Sequence, residues 1–164
     1  MFKIGDKVLY PMHGAGVIET VETKEILGDT HEYFVMRMPI GDMKVMIPIA
    51  SAEGVGLRKV ISAQAAQEVI RSLQEYDDDM SLNWNKRYRD NIEKIKEGDI
   101  YSVAHVVQGL MKRENDKGLS TGERKLLFSA KQILVSELVL ALDADKEEIE
   151  QLVERSVSKG QNHE

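Results

Sequence analysis

After Gly56 the hydrophobic pattern of this chain changes period, and that change constrains the fold more than any other feature. Before it, apolar residues come in short runs between glycine corners. Lys7–Tyr10 leads into Pro11, His13-Gly14-Ala15-Gly16 makes a tight corner, and Val17–Val21 is rich in β-branched residues. Gly28-Asp29 and Gly41-Asp42 are turn signals between strand-like runs, among them Tyr33–Met36 and Lys44–Pro48. Pro48 ends the last run or confines it to an edge. Four or five short strands with glycine corners predict a small, strongly bent sheet or barrel.

From Ser62 onward a repeat of about three and a half residues fits better than two. The pattern predicts five helices, over 62–74, 81–96, 99–116, 120–142 and 144–158. Ser81 is placed to cap the second and Gly98 to close it; Asp99 caps the third and Gly118 ends it. Ser120-Thr121-Gly122-Glu123 is a capping box opening the fourth. The tail from Ser156 to Glu164 is polar and reads as frayed. The expected organisation is therefore α+β: a β module over residues 1–58 and an all-α helical bundle over 59–164.

Composition removes several function classes. The chain has no cysteine, which excludes disulfides and thiol catalysis and points to a reducing compartment. Its start, MFKIGDKVLYP, lacks the apolar run of a signal peptide, and no apolar segment approaches the ~20 residues of a membrane helix. A cytoplasmic protein is expected. His13, His31, His105 and His163 share no metal-ligand spacing, so no metal site is expected. Gly14-Ala15-Gly16 lacks both the Gly-Lys-Ser/Thr end of a P-loop and the third glycine of a dinucleotide fingerprint. No Ser-His-Asp arrangement stands out, and neither an enzyme nor a cofactor is expected.

The net charge of -6 is unevenly spread. Residues 80–135 carry 11 bases and 7 acids, a basic island of +4 between acidic segments that include Asp77-Asp78-Asp79. Within the island lies the only tryptophan, in Asn83-Trp84-Asn85-Lys86-Arg87-Tyr88-Arg89-Asp90. At ~100° per residue, Tyr88, Ile92 and Ile95 fall within roughly 80° of Trp84, so Trp84 ends an apolar stripe. One reading makes Trp84 and Tyr88 core and the bases a solvated face. The other notes that a first-turn ring can overhang the bundle. Lys86, Arg87 and Arg89, like Arg124 and Lys125 of the fourth helix, are cations near helix starts, where they oppose the helix dipole. An external phosphate would offset that opposition.

Three ordered motifs give these residues a context: Phe2–Gly14 (FKIGDKVLYPMHG), Asn83–Tyr88 (NWNKRY) and Gly118–Glu123 (GLSTGE). In all three the chain resembles the CarD family of bacterial transcription regulators, over nearly its whole length. The resemblance implies a Tudor-like (SH3-like) β-barrel that docks on the RNA polymerase β subunit through a sheet edge. It implies a helical domain that reaches the upstream edge of the transcription bubble, associating the protein with the nucleoid. Trp84 would wedge at the promoter DNA fork, with Lys86, Arg87, Arg89, Arg124 and Lys125 holding phosphates. Lys24, Ile26 and Met46 would contact polymerase; at Met46 the family's usual arginine is missing, which makes the dock more apolar. No membrane or small-molecule partner is implied. The other reading left by the residues is a protein–protein adaptor with no DNA contact.

Overall fold

The structure, a computed structural model, describes residues 1–75 and 80–161. The acidic run at 77–79 and His163 lie outside the described residues. The fold is α+β. Five strands, β1 (Lys7–Tyr10), β2 (Gly14–Ile26), β3 (Asp29–Arg37), β4 (Lys44–Pro48) and β5 (Arg58–Lys59), form an antiparallel sheet in the order β4-β3-β2-β1-β5. The β2–β3 loop is Leu27-Gly28, with φ of 53° and 84°. Positive φ at both positions matches the twist of the strands it joins. A bulge between Ile18 and Thr20 bends β2. Only glycine fits at position 16, because a Cβ there would lie 2.6 Å from the Arg37 carbonyl oxygen.

Alternation along β1 gives the sheet two uses. Val8 joins Ile18, Phe34, Met36 and Ile47 in a core on one face, whereas Leu9 and Ala15 pack into the helical core. β5 straddles residues 58 and 59, where the two modules are expected to divide.

The helices are α1 (Ala63–Leu73), α2 (Trp84–Lys96), α3 (Ile100–Asp116), α4 (Thr121–Leu142) and α5 (Lys146–Gln161), and all five contribute to one apolar cluster. Ser62, Asp99 and Ser120 cap α1, α3 and α4 through their side-chain oxygens. Gly98 and Gly118, at φ 77° and 81°, close α2 and α3. Two expectations need correction. Ser81 does not cap α2: Asn83 does, its Oδ1 accepting from Lys86 N at 3.0 Å, while Ser81 Oγ takes Asn83 N at 3.2 Å. The helix therefore begins at Trp84. Nor is the tail frayed from Ser156. α5 runs to Gln161 with Ser156 and Val157 buried, and a Cβ at Gly160 would lie 2.8 Å from the Gln74 carbonyl oxygen. That close backbone approach docks α5 on the end of α1.

The second half of α4 holds the sheet. Arg58 of β5 donates from both terminal nitrogens to the fully buried Glu137 carboxylate, each at 2.7 Å, and from Nε to the Gly98 carbonyl at 2.9 Å. Ile61 N also donates to Glu137, and Ala15 N to Ser136 Oγ at 2.9 Å. Glu137 thus satisfies three donors from the segment leaving the sheet. Such a buried carboxylate is tolerated because its partners replace lost water.

Candidate nucleic-acid interface

The first turns of α2 and α4 meet, and the meeting point carries Trp84. Trp84 is the first residue of α2. The indole stacks on Tyr88, one turn on, at a centroid distance of 5.1 Å and an angle of 10°. Its Nε1 donates to Ser120 Oγ at 3.0 Å. Gly122 lies beneath both rings, since a Cβ there would meet Trp84 and Tyr88 at 3.8 Å. With contacts on these sides, Trp84 is still 42% exposed. Both sequence readings hold in part: the ring is seated, and it is presented.

Ser120 links the two helix starts. Its hydroxyl caps Glu123 N at 3.2 Å while accepting the indole N–H, so both lone pairs are in use. The Glu123 carboxylate keeps a long contact to the cap, Ser120 Oγ donating to its Oε1 at 3.5 Å, and its close partner is Arg87. Arg87 Nε and Nη2 donate to its two oxygens at 2.7 and 3.0 Å. Both residues are buried, and Arg87 Nη1 donates to the carbonyls of Ser81 and Leu82 at 3.1 and 3.2 Å. Burial acts most strongly on Glu123 and opposes its charge. The hydrogen bond and charge of Arg87, with Arg113 and Ser120, outweigh it and hold the carboxyl below its usual range.

This corrects the expectation for Arg87. At 2% exposure, with its donors committed, it cannot grip phosphate; it is a structural cation. The signal that would have found it is the spacing Arg87, Asn91, Ile95. These i, i+4, i+8 positions are the buried ridge of α2. The roles of Ser120 and Tyr88 were half visible, as a cap and as a stripe residue, but not their contacts with Trp84.

The remaining bases are on the surface. Lys86 and Arg89 lie about 200° and 140° round α2 from Trp84, on its outer side. Lys86 pairs with Asp90 at 2.9 Å, whose carboxyl is held below its usual range first by that hydrogen bond, and Arg89 Nε lies 3.4 Å from the Asn85 carbonyl. Arg124 turns away to Glu114 on α3, at 3.3 Å. Lys125 is exposed, three residues after Gly122 and so on the Trp84 side of α4. Trp84 and Lys125 share one flank of α4, and Arg124 lies on the other.

In the sheet, Lys24 stands opposite His31 and Ile26 opposite Asp29 at the far end of the hairpin, both exposed. Met46 is half-buried at the middle of β4, an edge strand, opposite Val35. Their β3 partners, His31 and Val35, are offset by four positions, about 13 Å along the strand, so Lys24 and Met46 form no single cluster. Among the described residues no group of three or more His, Asp or Glu is placed to hold a metal, and no helix is long and apolar enough to cross a membrane.

Comparison with known proteins bears on both parts of the chain. The model of the CarD C-terminal domain matches residues 68–154, and that of the CarD-like/TRCF RID domain matches residues 2–61. Over 138 residues, 84% of this chain and 90% of the relative, the sequence is 42% identical to YdeB of Bacillus subtilis (strain 168), a candidate transcription factor by its name. The solution structure of the 72-residue N-terminal domain of Myxococcus xanthus CarD matches at 29% identity and a TM-score of 0.32, covering 36% of this chain and 79% of that one.

Proposed function

The chain belongs to the CarD family, and from that premise we propose that it is a non-enzymatic transcription regulator that docks on RNA polymerase and braces the melted promoter with Trp84. One observation carries this reading: a tryptophan whose ring is fixed by Tyr88, Ser120 and Gly122 while the residue stays 42% exposed. A ring already held in place loses little freedom on binding. Stacking on an unpaired base is worth roughly 1–3 kcal/mol and reads no sequence. Unstacking costs a few kcal/mol, least where DNA is already opening. A side chain that binds only the forked shape shifts the population toward the open complex. Lys86, Arg89 and Lys125 supply phosphate contacts, joined by Arg124 if it releases Glu114.

The sheet segment, 1–58, is the proposed dock and the helical segment, 59–164, the DNA-contacting module. The match of residues 2–61 to a polymerase-interacting (RID) domain supports the dock. The open edge of β4 suits pairing with a strand of the β subunit, with Met46, Lys24 and Ile26 as contacts. The test is the lifetime of promoter open complexes after heparin challenge. Trp84→Ala shortens it and leaves polymerase retention intact; an unchanged lifetime in the folded variant refutes the wedge.

A second reading, an adaptor without DNA contact, is favoured by the carboxylates already beside Lys86 and Arg124. The two differ in salt dependence, because phosphate contacts release counterions. A flat response on forked DNA with polymerase present would select the adaptor.

A further inference from the structure

Leu82 is 82% exposed and sits just before the cap of α2, two residues from Trp84. An apolar residue there ordinarily packs on the fourth residue of the helix and fixes the entering chain. Here the fourth residue is Arg87, whose guanidinium is turned inward to Glu123. The staple is unmade and the leucine side chain is left to solvent.

Its backbone is nonetheless held. Arg87 Nη1 takes the carbonyls of both Ser81 and Leu82, and Ser81 Oγ takes Asn83 N. A single exposed leucine is ordinary on a protein surface. This one is displayed by a buried, two-point-anchored arginine, at the same helix end as an exposed indole and before the cations Lys86 and Arg89. Apolar prongs amid basic residues suit nucleic acid, where an aliphatic side chain can enter a disturbed base step while cations meet phosphate.

We infer that Leu82 is a second DNA-contacting residue, an aliphatic prong beside the Trp84 ring that packs against an unstacked base or its sugar at the fork. This rests on the reading of Trp84 as the fork contact. It adds to that reading a residue whose side chain makes none of the contacts that seat the indole.

The experiment uses the full chain with cognate RNA polymerase holoenzyme on a promoter, comparing the parent with Leu82→Ser, Leu82→Met and Trp84→Ala. Because Leu82 is so exposed, both Leu82 variants should melt near the parent, whereas Trp84→Ala gives up the ring's contacts and is compared only while folded, which circular dichroism checks. Leu82→Ser is expected to shorten the open-complex lifetime roughly three- to tenfold, the loss for an aliphatic side chain about half buried on binding. Leu82→Met keeps at least half the parent lifetime and polymerase retention is unchanged. The inference is overturned if the serine variant matches the parent, if serine and methionine fall together, or if serine lowers polymerase retention instead. Shortening by Trp84→Ala but not by Leu82→Ser removes this inference alone. No effect of Trp84→Ala removes the reading beneath it.

Discussion

Arg87 on α2 and Glu123 on α4 are joined at two points beneath the exposed tryptophan, with each side chain only 2% exposed. The contact is 36 residues apart in sequence, and it ties together the two helix starts that seat the indole. A buried pair is weak evidence of net stability, because desolvating both charges offsets much of their attraction. Its consequence is asymmetric: neither partner can be removed alone without cost.

Glu123→Ala should therefore lower unfolding free energy by about 3–5 kcal/mol, since it strands a buried guanidinium. The double variant Arg87→Met, Glu123→Leu should recover most of that loss. Denaturant melts check both, and a single variant within 1 kcal/mol of the parent would contradict the pairing (surface changes stay within about 0.5 kcal/mol).

The same pair predicts a pH dependence. Glu123 has a folded pKa held below its unfolded value, near 4.3. Its contribution is fully present above that value and is lost as pH falls through it toward the depressed folded pKa. The stability gap between parent and Glu123→Gln should thus be constant from pH 7 to about 5.5 and narrow below about 4.5. A gap that widens on acidification would reverse the sign.

Ser120 both caps α4 and fixes the indole, so Ser120→Ala should cost about 1 kcal/mol through the cap. It should also loosen the ring. Trp84 is the only tryptophan, so intrinsic fluorescence reads it without interference. Emission should move to longer wavelength and acrylamide quenching should rise, with Ser120→Thr close to the parent.

Two glycines make opposite forecasts. At Gly122 a methyl would meet Trp84 and Tyr88 at ordinary contact distance, so Gly122→Ala should stabilise by about 0.5–1 kcal/mol through helix propensity. At Gly16 the same methyl would strike the Arg37 carbonyl at 2.6 Å, and Gly16→Ala should cost about 1–3 kcal/mol. Thermal melts of the pair distinguish them directly.

Under the proposed function, Lys86→Ala, Arg89→Ala and Lys125→Ala should each reduce the slope of log affinity against log salt by about 1 on forked DNA with polymerase present. The stability loss should be small, as all three side chains lie on the surface. A slope unchanged in all three would favour the adaptor.

Much of this molecule was legible along the chain. The change of period at Gly56, the caps at Asp99 and Ser120, and the stops at Gly98 and Gly118 are local events, governed by backbone sterics and by hydrogen bonds within a few residues. Periodicity also placed Trp84 on a stripe and at a helix end, and both placements hold in the structure. The start of α2 slipped by three residues because Ser81 and Asn83 are both competent caps, and their contacts select between them.

The fate of each base was not legible. Arg87 and Lys86 are neighbours of the same charge, yet one is buried against Glu123 and the other faces solvent beside Asp90. Short-range preference was enough to specify the five helices, the four longer strands and the basic island. Which cation turns inward, and how far the tryptophan is exposed, were set by packing. The positions where α2 meets α4 set which carboxylate lies within reach, and that depends on packing across 36 residues of chain.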